Sequence, residues 1–248
     1  MIPIPDISQT YPKTGLKLDS RFVVGEGNAR DLSGDSNTGT LVSGRSLSFD
    51  GTGDMVNCGA GMDFSSTGGS FALWVKITST LSGNRTLFET STNGSNRFAL
   101  GYSNGDHFRV SWYPGTGYVG KASTTFSQDT WYHLVGTIDD SNNTTLYMNG
   151  VSQDETYSAL GISGSNTTAI GAQIASGAQN MIGSLSCVKA FNVVLTAAQA
   201  LELYNNPEQV LPTGVAAANL KRYYPLSDYQ NPSANTIDGL YLMDLGAD

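Results

Sequence analysis

The residues of this 248-residue chain best equipped for chemistry fall between Phe98 and Tyr118, where Tyr102, Asn104, Asp106, Arg109, Trp112, Tyr113 and Tyr118 follow one another closely. Aromatic faces pack on pyranose rings, while amides, carboxylates and a guanidinium fix hydroxyls, so the set has the make-up of a glycan- or partner-binding surface. The same rings would serve equally as core or rim packing. A second set is acidic: Asp50 and Asp54 flank a Gly-rich turn, and Asp139 and Asp140 open a polar one. A calcium ion takes about six to eight oxygens, and either pair would supply some of them. Either pair would also serve simply to close its turn, because Asp side chains bond to nearby backbone.

Catalysis is poorly supplied. Glu26, Glu89, Glu155, Glu202 and Glu208 are spread singly, and the adjacent Asp154 and Glu155 would project to opposite faces of a strand. His107 has no carboxylate or nucleophile beside it in sequence, and His133 sits inside a strand pattern as a satisfied structural histidine. Neither a carboxylate pair nor a nucleophile with its base is supported, and the chain is expected not to be an enzyme.

Short strands must position these groups. Trp131 to Ile138 and Thr144 to Met148 are rich in β-branched and aromatic residues around the turn cluster Asp139 to Asn143, and Asn149-Gly150 then offers a type I′ turn into Val151 to Tyr157. The product is a three-stranded meander with Trp131, His133 and Val135 on one face and Tyr132, Leu134 and Ile138 on the other. Phe71 to Ile77 alternates in the same way, with Phe71, Leu73, Val75 and Ile77 opposed to Ala72, Trp74 and Lys76. Trp74 and Trp131 are expected in the core. Leu16 to Val24 and Thr40 to Val42 read as opening strands, Ser46 to Phe49 and Asp54 to Cys58 as a hairpin, and Arg85 to Thr90, Arg97 to Tyr102 and His107 to Tyr113 as a further series. Thr167 to Gly171 and Met181 to Phe191 close the pattern. Thr196 with Gln199 fits a capping box, predicting one helix over Ala197 to Asn205 with Ala200, Leu201 and Tyr204 on its packed face.

Composition agrees with an all-β protein, since 39% hydrophobic residues, 29 glycines and only 14% charge suit many strands and tight turns. The net charge of −8, with Lys and Arg scattered singly, argues against nucleic acid as a partner. No apolar run is long enough to span a bilayer, so no membrane insertion is expected, and Met1 to Asp6 lacks the regions of a Sec signal peptide. Cys58 and Cys187 alone cannot make a disulfide framework.

Trp131-Tyr-His-Leu-Val-Gly-Thr-Ile-Asp-Asp140 followed by Leu146-Tyr-Met-Asn-Gly150 resembles the core signature of the laminin-G-like, concanavalin A-like jelly rolls, which include pentraxin-type lectin modules. Asp31 to Leu41, Leu47 to Val56, Phe71 to Lys76 and Ile182 to Gln199 match in the same order. The resemblance implies an antiparallel two-sheet jelly-roll sandwich with one short helix, residues 16–206, between an extended arm, 1–15, and an extension, 207–248, packed on the sandwich or on a neighbouring subunit. It would place the two cysteines in one sheet, leaving a single bond or two thiols. Glycoside hydrolases of this fold carry a Glu-x-Asp-x-x-Glu strand, which is absent here. Calcium-binding relatives often close with Gly-x-Ile-Asp-Glu-Val, where this chain has Gly183-Ser-Leu-Ser-Cys-Val188.

The expected function is a non-catalytic binding or assembly module. The leading expectation is a structural component of a virus or surface particle, such as a phage decoration, fibre or adhesion protein, located on the virion or an extracellular assembly and joined to other subunits or to itself through its arms. The alternatives are a lectin-like module for cell-surface glycans and, more remotely, a glycoside hydrolase.

Overall fold

The computed structural model describes residues 20–22, 28–31, 39–40, 46–60, 62, 64, 67–79, 83–91, 97–103, 105–113, 119–153, 155–156, 167–173, 179–207 and 209–224. Three short strands, β1 (Ser20–Phe22), β2 (Asn28–Asp31) and β3 (Gly39–Thr40), pair with one another. β4 (Leu47–Asp50) and β5 (Val56–Ala60) lead to the long β6 (Gly69–Ile77). A meander follows in β7 (Arg85–Ser91), β8 (Arg97–Ser103), β9 (His107–Tyr113) and β10 (Val119–Thr125). Next come β11 (Trp131–Ile138), β12 (Thr144–Met148), β13 (Val151–Gln153), β14 (Glu155–Thr156), β15 (Thr167–Ile170) and β16 (Ile182–Phe191). The helix α1 (Ala197–Asn205) and β17 (Leu220–Tyr224) complete the described chain.

Two large antiparallel sheets result. The meander sheet has the order β14-β10-β9-β8-β7-β15-β5, and the helix-bearing sheet runs β13-β12-β11-β6-β16-β17 with β4 also beside β16. Their facing sides form one core, in which Phe71, Leu73, Val75, Leu134 and Leu185 meet Phe88, Phe98, Leu100, Phe108 and Val110. Each such side chain contributes about 1.5–3 kcal/mol on burial. The sheets approach closely at Gly136, where an added Cβ would lie 2.9 Å from Val110 Cγ2.

Several expectations need correction. Ser46 to Cys58 is not a hairpin: β4 pairs with β16 and β5 with β15, so this turn carries the chain from one sheet to the other. Val151 to Tyr157 also divides, β13 beside β12 and β14 beside β10. The opening strands pair only among themselves among the described residues, and β10 is a strand that the polar segment Lys121-Ala-Ser-Thr-Thr125 did not announce. Cys58 on β5 and Cys187 on β16 lie in different sheets as free thiols.

The helix begins as expected, with Thr196 and Gln199 forming a reciprocal capping box. Its packed face is turned from the one expected: Ala200 and Leu203 are buried against Ala72, Val135 and Phe191, whereas Leu201 is 44% exposed. Leu201 instead flanks the Asn149–Gly150 turn, both of whose residues have positive φ, and an added Cβ on Gly150 would lie 2.7 Å from Leu201 Cδ1. Beyond the helix the Glu202 carboxylate accepts hydrogen bonds from the Gln209 side chain at 2.6 Å and from the Thr213 hydroxyl at 2.7 Å. Val210, Leu211 and Val215 pack on the same cluster and β17 joins β16, so the chain packs on its own sandwich as far as Tyr224. Residues 1–15 and 225–248 lie outside the described residues.

Candidate functional site

Residues directly opposite in an antiparallel ladder share a face. Phe98 stands opposite Trp112, Leu100 opposite Val110 and Tyr102 opposite Phe108, and this is the core face. Tyr102 and Trp112 are therefore interior residues, 0% and 2% exposed, and not a platform for sugar. The Tyr102 hydroxyl accepts the Ile182 N–H at 3.1 Å, and burial pushes its pKa up. Arg109 stands opposite Gly101 and Ala122 on the other face, where Nη2 donates to the Tyr102 carbonyl at 2.9 Å. On that face Glu89 and Arg97 form a buried ion pair. Asp106 is a turn residue with φ 60° whose carbonyl accepts the Phe126 N–H at 2.7 Å. Asn104, Tyr118 and the side chain of Tyr113 lie outside the described residues. The expected surface thus mixed two faces of one sheet.

The aspartates close turns. Asp54 Oδ2 accepts the Asp50 N–H at 2.8 Å and Asp50 Oδ1 the Thr52 N–H at 2.7 Å. Asp139 Oδ1 accepts from the Ser141 and Asn143 backbone at 2.9 and 2.7 Å, and Oδ2 from Asn143 Nδ2 at 2.9 Å. Slight burial pushes the Asp139 carboxyl up, and the bonds from the Asn143 side chain and from the Asn143 and Ser141 backbone outweigh it, holding the group below its usual value. Asp140 is exposed and accepts from the Ser141 hydroxyl at 3.3 Å. Among the described residues no group of three or more His, Cys, Asp or Glu is placed to hold a metal ion. Asp50, Asp54 and Asp139 thus accept backbone hydrogen bonds within their own turns.

A different constellation stands on the outer face of the helix-bearing sheet. Register places Trp131 opposite Lys76, His133 opposite Trp74 and Lys189 opposite Tyr223. Tyr204, from the last turn of α1, stacks over Trp74 at 5.8 Å between ring centroids and lies 6.3 Å from His133, and the Trp74 and His133 rings are 5.2 Å apart. Lys76 Nζ sits 5.6 Å from the Trp131 ring centroid, and Lys189 Nζ 5.7 Å from that of Tyr223. The rim is half-buried (Trp131, Lys76, Tyr204, Tyr223), while Trp74 and His133 beneath it are only 5% and 1% exposed.

Local backbone explains why these groups converge. The Asn149 turn grips His133 from both sides: the His133 N–H donates to Asn149 Oδ1 and its carbonyl accepts the Asn149 N–H, each at 2.8 Å. In β16 a register shift between Ser186 and Lys189, with Cys187 at φ 51°, turns Lys189 outward. Burial, reinforced by the Lys189 charge, lowers the His133 pKa to about 3, so the ring is neutral near pH 7. Two interior polar atoms, Trp74 Nε1 and His133 Nδ1, have no hydrogen-bond partner among the described residues. His133 is therefore not the satisfied histidine expected, and Trp131 is a rim residue and not a core one. The signal was present in sequence, because Trp74 and Trp131 occupy the positions of their strands opposite to the apolar stripe.

Such a set can stack on a ring and donate to oxygen acceptors, and it holds no carboxylate pair or nucleophile with its base. Among the described residues no helix is long and apolar enough to cross a membrane. Comparison with curated proteins finds no match. Solved structures that resemble the chain include a heptameric SAP-like pentraxin from Limulus polyphemus, 16% identical over 64% of this chain and 81% of that one, with a TM-score of 0.47. The CBM40 of the Ruminococcus gnavus IT-sialidase, bound to α2,3-sialyllactose, is 14% identical over 64% of this chain and 96% of its own, with a TM-score of 0.47. Trypanosoma rangeli sialidase is 15% identical with a TM-score of 0.50, and the match covers 77% of this chain and 32% of the sialidase, about a third of its length. A family model matches residues 50–200, most of the two-sheet body described above, and by it this chain belongs to the concanavalin A-like lectin/glucanases superfamily.

Proposed function

We propose that the protein is a non-catalytic carbohydrate-binding module whose ligand engages the outer face of the helix-bearing sheet. The observation that carries this reading is the pair of half-buried rings, Trp131 and Tyr223, set with Lys76 around interior ring nitrogens that have no partner among the described residues. A sugar presents an apolar ring face and a rim of hydroxyl acceptors, which is the complement of that arrangement. The lectin-like family and its fold support the class of ligand. The non-catalytic part is supported by the fate of the described glutamates: Glu89 is paired with Arg97 and Glu202 is bound to Thr213 and Gln209. Most glycoside hydrolases need two facing carboxyls.

A glycan array followed by calorimetry tests this. Binding should fall about tenfold or more in Trp131→Ala, a loss of about 1.4 kcal/mol or more, while circular dichroism stays unchanged and no cleaved sugar accumulates. Array-wide silence, or binding indifferent to Trp131, would sink the reading. The second reading, a structural component of a virus particle, is supported by the flanks outside the family match, residues 1–49 and 201–248. It predicts self-association or capture by particle subunits that survives Trp131→Ala.

A further inference from the structure

Trp74 Nε1 and His133 Nδ1 are buried polar atoms without a partner among the described residues, on side chains 5% and 1% exposed, with ring centroids 5.2 Å apart. Leaving one such group unbonded costs about 1–3 kcal/mol, and two neighbours left so on adjacent central strands call for an explanation. Core packing alone would favour apolar residues here, as it does one row along the same two strands at Ala72 and Val135. Tyr204, half-buried on the last turn of α1, stacks over the pair with its ring 28° from the Trp74 plane, and Trp131 and Tyr223 pack against the same cluster. Trp74 and His133 are fixed by paired neighbours on β6 and β11, whereas Tyr204 belongs to the end of a nine-residue helix. Of the three rings it is the one carried outside the sheet.

Resting on the carbohydrate reading, we infer that Tyr204 covers a sugar subsite in which Trp74 Nε1–H and His133 Nδ1 bond to the oxygens of one pyranose unit once the Tyr204 ring moves aside. The indole donates. The neutral imidazole donates or accepts at Nδ1 according to its tautomer, matching a hydroxyl that does both. Lys76 and Trp131 form the rim on one side and Tyr223 on the other. The cost of the closed state lies in the unpaired N–H group, and ligand entry removes it.

The test is a titration of the ¹⁵N-labelled full chain with the methyl glycosides of glucose, galactose, mannose and N-acetylglucosamine, reading the indole N–H signals of Trp74, Trp112 and Trp131. Trp74→Phe, which keeps an aromatic ring and deletes the donor, assigns one signal and should weaken binding about tenfold. The Trp74 signal should move with sugar and that of core Trp112 should not. Tyr204→Ala, which removes the roof, should tighten binding severalfold. A sugar that shifts the Trp131 signal and leaves Trp74 still would overturn the roofed subsite and leave the carbohydrate reading standing. If none of the signals moves and the array is blank, both fall.

Discussion

Among single residues, His133 couples stability to pH. Its pKa falls from 6.5 to about 3 on folding, through burial first and the Lys189 charge second. The unfolded chain therefore takes up the proton before the folded one does. Stability is whole above about pH 6.5 and is lost as pH falls toward 3, by about 1.4 kcal/mol per unit. Trp74 and Lys189 face it from β6 and β16 and Tyr204 from α1; none is a carboxylate that would hold an imidazolium. Urea midpoints between about pH 6.5 and 5, above the range in which carboxylates titrate, should drop in the wild type and stay nearly level in His133→Phe. A wild-type profile as flat as the variant's would contradict the burial. That His133 and Trp74 share an outward face could be read from alternation alone. That their ring nitrogens lack partners could not, because it depends on a helix some seventy residues further on.

At the scale of elements, α1 was legible to its ends, since the Thr196/Gln199 box and the Asn205-Asn206-Pro207 stop are local chemistry. Its orientation was not. Ala200 with Leu203, and Ala200 with Leu201 and Tyr204, are both coherent helical faces, and only the Gly150 turn beneath Leu201 decides between them. The same limit applies to β4 and β5. A Gly-rich turn between two strand patterns reads as a hairpin whether the strands pair with each other or with β16 and β15. The mixed surface at Tyr102, Arg109 and Trp112 had a remedy in the sequence, for Phe98, Leu100 and Tyr102 alternate with Arg97, Ala99 and Gly101 and already separate core from outer face. Thr196→Ala removes a cap whose hydroxyl accepts the Gln199 N–H at 3.3 Å. It should cost about 1 kcal/mol, read as a lower denaturant midpoint at unchanged slope; no shift would mean that packing alone holds the helix start.

For the whole molecule, the sandwich reaches well past the segment that carries the family pattern. Leu220 is buried with Phe191, Leu195 and Leu203, and β17 adds a strand to the helix-bearing sheet. A chain ended after Asn206 would expose that cluster and withdraw the partners of the Glu202 carboxylate, which the Thr213 hydroxyl and the Gln209 amide hold below its usual pKa. Such a chain should lose cooperative melting or aggregate, whereas one ended after Asp228 keeps all of these contacts and should melt as a unit. A sharp transition from the shorter chain would show that the body is complete without its last strand. The extension was expected to pack either on this sandwich or on a neighbouring subunit, and which of the two was not legible, because any free edge accepts a strand equally well in pattern.

β4 and β17 both lie along the same side of β16, β4 opposite Ile182 to Leu185 and β17 opposite Val188 to Phe191, and both run antiparallel to it. The first residue of β4 and the last of β17 consequently face each other across a gap of about three residues, roughly 10 Å at strand spacing. The start of β4 and the end of β17 thus lie at one place on one edge of the sheet. A cargo joined to either flank would be carried at the same point of the sandwich.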